Sequence, residues 1–340
     1  MMKNQALVIT KPKDIAIREC EMPNADGKVL IEVMYVAVCG SDVKLYAGTY
    51  TAPHSYPIVI GHEWLGKVIE APQGAKVKAG DYCVGDCSVY CGECYYCGFN
   101  KNHCEHIEKR GITIDGGAEK YIAVDAMHVN KCIAMDNKKL LTLTEPISVA
   151  VNGIVNRVPK EVYGRCRRAL VLGCGGIGLA SIFTLRKMGV KDITAIDIAK
   201  GKVDRVNEFG LDGLRAVCTD AQALSKEASN QYDLIVEATG NAQSLVQTTN
   251  LAAPCAHIVC LGHQKEISYD FGTVVKKSLT IHASNGSTGG FMEAMEIIKE
   301  NEEYISKMIT EIVPFEEAPR YFEESILTKD NIKVLIDLTK

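Results

Sequence analysis

The strongest constraint on the fold is a glycine turn in mid-chain. Arg168-Ala169-Leu170-Val171-Leu172 is a compact apolar run, and Gly173-Cys174-Gly175-Gly176-Ile177-Gly178 follows it directly as G-x-G-x-x-G. A helical segment from Ile177 to Met188 begins inside the motif, and the next strand-like run, Asp192 to Asp197, ends on a carboxylate. Alone the glycine pattern is weak, because such turns arise by chance. In this context it has a purpose: the glycines let backbone approach a pyrophosphate, and the helix N-terminus favours the anion. Asp197 would accept hydrogen bonds from both adenosine ribose hydroxyls and repel a 2′-phosphate, which points to NAD rather than NADP. Gly173, Gly175, Gly176, Ile177, Gly178 and Asp197 are the expected cofactor residues. Lys202 either touches the ribose or is a plain surface charge.

The rhythm around this motif is strand, helix, strand. A charged helix is expected at Lys200 to Phe209, with strands at Arg215–Cys218, Tyr232–Glu237, Ala256–Leu261 and Ser278–Ala283. Alternation of this kind indicates a doubly wound α/β domain with a parallel sheet. The first ~125 residues differ: short alternating runs such as Val29–Val36 and Glu63–Glu70, broken by Gly, Pro and Asp, read as mainly β. One amphipathic helix, Phe291 to Ser306, leads out to strand-like pieces at Glu311–Val313 and Lys333–Ile336. A tail of that size cannot easily build a core of its own, so it is expected to return to the first domain. At 340 residues two domains are the default. The expected division is 1–152 plus 297–340, with a cysteine lobe at 87–106, and 153–296 for the nucleotide domain.

Composition removes several classes of function. A formal charge of −4 offers no electrostatic attraction to nucleic acid or to an anionic membrane. The N-terminus lacks an apolar signal region, and the apolar stretch Ala169–Leu185 is shorter than the roughly 20 residues of a membrane span. A cytoplasmic location is expected. There, 14 cysteines argue for metal ligation wherever they cluster, and for small buried hydrophobes elsewhere. The one tight cluster is Cys91, Cys94, Cys97 and Cys104, spaced C-x2-C-x2-C-x6-C. Four thiolates within that span can close a tetrahedral zinc site with no open position, hence a structural one, separable from chemistry. The rival, an iron–sulfur loop, has a shorter last gap and a proline after its final cysteine, where this chain has Glu105. Cys83 and Cys87 break the spacing and are left out.

Three further pieces complete the pattern: Cys39-Gly40-Ser41-Asp42, Gly61-His62-Glu63-Trp64-Leu65-Gly66, and Thr144-Glu145-Pro146-Ile147-Ser148-Val149-Ala150. Together with the cysteine lobe, the Gly80-Asp81 turn, the glycine motif and Glu237-Ala238-Thr239-Gly240, they resemble the zinc-dependent medium-chain alcohol and polyol dehydrogenases over essentially the whole chain. The resemblance implies a mainly-β GroES-like catalytic domain beside the Rossmann domain. It implies a catalytic zinc on Cys39 and His62, with Glu145 in the third-ligand position of the sorbitol-dehydrogenase-like branch and Glu63 ligating directly or through water. Asp42 matches the carboxylate that orients the zinc histidine, and Ser41 the hydroxyl that takes the substrate proton. Where close relatives often carry a relay histidine this chain has Lys44, either finishing the proton path or lying on the surface. Because neighbouring side chains of a strand face opposite ways, Glu145 is expected to ligate more readily than Glu63. The implied reaction is zinc- and NAD-dependent oxidation of a secondary alcohol (polyol, sugar alcohol or cyclitol) by a homodimer or homotetramer. The alternatives are threonine 3-dehydrogenase-type oxidation and a zinc-free nucleotide-binding relative without activity.

Overall fold

The computed structural model describes residues 3–263, 266–327 and 331–340. The chain divides into two compact units, Met1–Glu145 with Gly286–Lys340, and Pro146–Asn285. Both boundaries fall earlier than the expected 152/153 and 296/297. The physical reason is local. Glu145 and Pro146 lie in the first turn of a helix, Thr144–Ile154, which the sequence patterning does not announce. Proline is tolerated in a first turn because its missing N–H would have no helical partner there.

The second unit is built on six parallel strands. Their order across the sheet is Leu214–Cys218, Ile193–Asp197, Ala169–Leu172, Tyr232–Glu237, Ala252–Cys260 and Thr280–Ala283. Numbered along the chain that is 3-2-1-4-5-6, the doubly wound order whose switch point lies between the first and fourth strands. The central strand Ala169–Leu172 is buried at every position, as a continuous apolar run must be when helices cover both sheet faces. The helix Gly176–Lys187 leaves directly from the glycine turn.

The first unit is mainly antiparallel. Val29–Ala37 pairs with Glu63–Glu70, with Tyr121–Val124 and with Lys333–Asp337. The tail thus returns to the middle of this sheet, and Ile309–Pro314 adds in parallel beside it. Trp64, Phe315 and Phe322 are among the largest fully buried side chains of the core. The single helix expected over 291–306 is two helices, Phe291–Glu300 and Glu302–Ser306. They part at Asn301, whose side chain donates to the Ile297 carbonyl at 2.9 Å. Among the described residues no helix is long and apolar enough to cross a membrane.

Candidate active site and metal centres

The four cysteines of the lobe converge. Their sulfurs all lie within 4.8 Å of one another, with separations of 3.5 Å for Cys104–Cys91, 3.9 Å for Cys94–Cys104 and 4.0 Å for Cys91–Cys97. A tetrahedral metal with sulfur at ~2.3 Å places its ligands about 3.8 Å apart, so these distances fit zinc. Backbone N–H groups turn toward the sulfurs: Cys91 N–H lies 3.3 Å from Cys104 Sγ, His106 N–H 3.3 Å from the same atom, and Glu105 N–H 3.5 Å from Cys94 Sγ. The Glu105 donor in particular pulls the Cys94 thiol down to about 6, while burial and its neighbour Cys94 push the Cys97 thiol up to about 12. A thiol held near its thiolate form is ready to bind metal.

The second donor set is Cys39, His62 and Glu63, whose ligand atoms also lie within 4.8 Å of one another. Cys39 is the N-cap of the helix Gly40–Ala47. Its N–H donates to Asp42 Oδ2 at 2.8 Å, and Gly61 N–H donates to Asp42 Oδ1 at 3.4 Å. Fully buried Asp42 therefore binds the backbone beside both other donors. Its Oδ1 stands 3.9 Å from His62 Nδ1, which has no hydrogen-bond partner among the described residues. That is too long for a hydrogen bond, so Asp42 acts on the ring by charge while fixing the backbone on either side. Burial disfavours a charged His62, but negative charge at Cys87, Cys39 and Asp42 outweighs it and lifts its pKa well above the usual value.

His62 and Glu63 both reach the set despite being neighbours. The strand begins only at Glu63, and His62 occupies the bend before it. Strand alternation, which made their meeting look awkward, does not apply across that bend. Glu63 also has a partner that sequence reading missed. Lys333 Nζ grips both its carboxylate oxygens, at 2.5 and 2.6 Å, with the two side chains almost wholly buried. Glu145 lies outside the tight set. Burial raises its carboxyl to about 7, with His62 pulling the other way and Glu63 adding to the rise. Ser41 is half-buried and Lys44 exposed on the same helix. Tyr50, half-buried and also missed, feels the charges of Cys87, His62, Cys39 and Asp42. Nothing periodic marks a lone tyrosine in a loop. Lys333 did leave a signal, being a charge placed directly before the apolar run Val334-Leu335-Ile336.

In the second unit the glycine turn has the required geometry. Gly173 has φ +103, and a Cβ on Gly178 would lie 1.8 Å from the Gly173 carbonyl oxygen, so the turn admits only glycine at those points. Asp197 sits at its strand end with Oδ2 accepting from Cys174 N–H at 2.8 Å and Oδ1 from Ala199 N–H at 2.9 Å. The carboxylate is thus folded back against the turn, and burial raises the Cys174 thiol to about 12, with Asp197 adding to the rise and Lys202 opposing it.

Residues 25–134 match the alcohol dehydrogenase GroES-like domain family, and residues 138–338 match the glucose dehydrogenase C-terminus family. Glucose 1-dehydrogenase of Thermoproteus tenax is 30% identical over 357 residues, covering 96% of each chain. The chain belongs to the zinc-type, medium-chain alcohol dehydrogenase family. Within that family, D-arabinitol dehydrogenase 1 of Uromyces fabae is 32% identical over 246 residues, covering 69% of this chain and 68% of its own. The rspB alcohol dehydrogenase of E. coli CFT073, solved with NADH, superposes with a TM-score of 0.87 at 26% identity, covering 99% and 100% of the two chains.

Proposed function

We propose that this protein is a cytoplasmic, homo-oligomeric dehydrogenase that oxidises a secondary alcohol of the polyol, sugar-alcohol or cyclitol class to a ketone, reversibly, with zinc and NAD. The observation that carries the reading is the Cys39–His62–Glu63 set, with His62 and Glu63 buried and Cys39 half-buried, and with the charges of His62 and Glu63 acting on buried Glu145. One thiol, one imidazole and a carboxylate suit zinc and leave a position for substrate, whereas the four-cysteine set is closed. The polyol class is supported by the arabinitol-oxidising relative and by the Glu-Pro pair at 145–146.

When bound, zinc would supply Lewis acidity at the alcohol oxygen, and the nicotinamide an acceptor for hydride. This chain's residues prepare the rest. Cys39, His62 and a carboxylate hold the metal, with Glu145 ligating in at least one state and Glu63 as its alternate. Asp42 fixes the backbone at Cys39 and Gly61. Ser41 receives the alcohol proton; exposed Lys44 and half-buried Tyr50 are the candidates to pass it to solvent. The turn Gly173–Gly178 receives the pyrophosphate, and Asp197 the adenosine ribose.

The test is metal analysis of purified protein together with an NAD-reduction screen over polyols, sugars, inositols, aminocyclitols and amino acids. Two zinc ions per chain and turnover of a polyhydroxylated alcohol are expected. Turnover confined to threonine would move the substrate to the amino-acid class, and a chain with neither zinc nor turnover would sink the enzymatic reading.

A further inference from the structure

The second unit carries three linked nitrogen groups that play no part in the sites already described. His257, on the strand Ala252–Cys260, is 7% exposed, and half-buried His282 stands on the neighbouring strand Thr280–Ala283. His257 Nδ1 and His282 Nε2 lie 2.8 Å apart, with the ring planes within 10° of each other, as an in-plane N–H···N bond needs. On its other side, His257 Nε2 lies 3.3 Å from Arg165 Nη2, at the end of the helix Lys160–Arg165. Thr280–Ala283 is the outer strand of the parallel sheet, paired with Ala252–Cys260 alone among the described residues. The nitrogen links therefore add a second hold to a strand that has one ladder.

This arrangement fixes where the protons are. A guanidinium only donates, and a neutral imidazole has one donor and one acceptor nitrogen. The contact between Arg165 and His257 thus already holds a proton, and His257 Nε2 accepts it. His257 then carries its own proton on Nδ1, which fills the second contact and makes His282 Nε2 the acceptor there. His282 in turn keeps its proton on Nδ1, away from His257. One further proton has no place. On His257 Nε2 it meets the Arg165 N–H, and on His282 Nε2 it meets the His257 N–H, so protonating either ring breaks a link. The surrounding charges act in the same sense. Burial, His282 and Arg165 lower the pKa of His257 against the opposing charge of Glu161 on the Arg165 helix, and burial and Arg157 lower that of His282.

We propose that Arg165, His257 and His282 form a proton-excluding lock on the outer strand of the sheet, closed at neutral pH and opened by acid. Above about 6.5, the ordinary imidazole value, both rings are neutral whether the strand is closed or open, and the links hold. Below it the opened strand takes up protons that the closed one excludes, so opening gains up to about tenfold per pH unit for each proton bound. Release of Thr280–Ala283 leaves Ala252–Cys260 as the new edge, with backbone groups free to pair with another strand.

Amide hydrogen exchange on the full chain, corrected for the intrinsic effect of pH, tests the lock. Protection of residues 280–283 should fall by ~10-fold or more between about pH 7.5 and 5.5, while the central strand Ala169–Leu172 keeps its protection. His257→Gln with His282→Gln supplies the same acceptors and donors without a titrating group, so the fall should disappear. Arg165→Met frees His257 Nε2 to take a proton with the pair intact, so the fall should shrink several-fold. In the unaltered chain at neutral pH, long-range proton–nitrogen spectra should place the imidazole proton of both histidines on Nδ1. Flat protection of 280–283 in the unaltered chain would overturn the proposal, as would an equal fall in Ala169–Leu172, since acid would then act on the whole unit. A full fall in the double glutamine variant or in Arg165→Met would also overturn it, and if one of these does not fold the other decides. A proton on Nε2 of either ring would refute the proton count on which the lock rests.

Discussion

The carboxylates around the second donor set differ in what already satisfies them, and that difference decides what each can do. Glu63 is bound at both oxygens by Lys333, so its charge is compensated before any metal arrives. Glu145 has its carboxyl raised by burial, so a metal would relieve its cost most. We therefore expect Glu145→Ala to lose more of the second zinc than Glu63→Ala; a chelator titration giving the opposite order would reverse the assignment. Lys333→Met leaves the Glu63 charge buried and unpaired, which should lower stability by about 3–5 kcal/mol in urea unfolding, and adding Glu63→Gln should restore most of it. In the second unit, Asp197 should give a kcat/KM preference for NAD over NADP of at least ~100-fold, equivalent to about 2.7 kcal/mol. Asp197→Ala should shrink that gap mainly by weakening NAD. Equal use of both cofactors by the unaltered protein would refute the assignment.

At the scale of elements, the lobe and the glycine turn were legible in sequence for one reason: all their chemistry lies within a few consecutive residues. C-x2-C-x2-C-x6-C carries its own metal geometry, and the strand, turn and helix around Gly173–Gly178 carry theirs. What stayed hidden joins distant segments. Lys333 meets Glu63 only because the last strand pairs beside Val29–Ala37, and Ser287 meets Asp86 across 201 positions. No local pattern encodes such meetings, because sheet order is set by the whole core. The helix Thr144–Ile154 was hidden differently: a proline inside a helix is uncommon, yet Pro146 stands in the first turn, where a helix accepts it. Cys97→Ser tests the lobe as an element. A metal loop is stabilised largely by its metal, so this variant should lose one zinc, become less soluble and fail to assemble normally. Retention of both zinc ions would show that Cys97 is not a ligand.

The residues proposed for the two tasks fall in different compact units: Cys39, His62, Glu63 and Glu145 in one, and Gly173–Gly178 with Asp197 in the other. Each task therefore has its own core beneath it. The parallel sheet that carries the glycine turn is built from Ala169–Leu172 and its neighbours, none of which belongs to the unit holding the metal donors. His62→Ala should for this reason abolish turnover while leaving NAD affinity, measured by nicotinamide fluorescence or calorimetry, within a few fold. The same division should appear on heating. A ligand stabilises what it binds by RT ln(1 + [L]/Kd), about 2.7 kcal/mol at 100 times Kd, so NAD should raise the melting of the wild type and of the His62→Ala protein alike. Removing the metal with a chelator should lower the wild-type transition and affect the variant less, since one of its two sites is already impaired. Two units melting apart would give separate transitions, each answering to one ligand, whereas coupled units would melt together and answer to both. If His62→Ala keeps full activity, the zinc chemistry must be abandoned. If it loses NAD binding along with activity, the two tasks are not separate, and histidine and nucleotide must be linked through the fold.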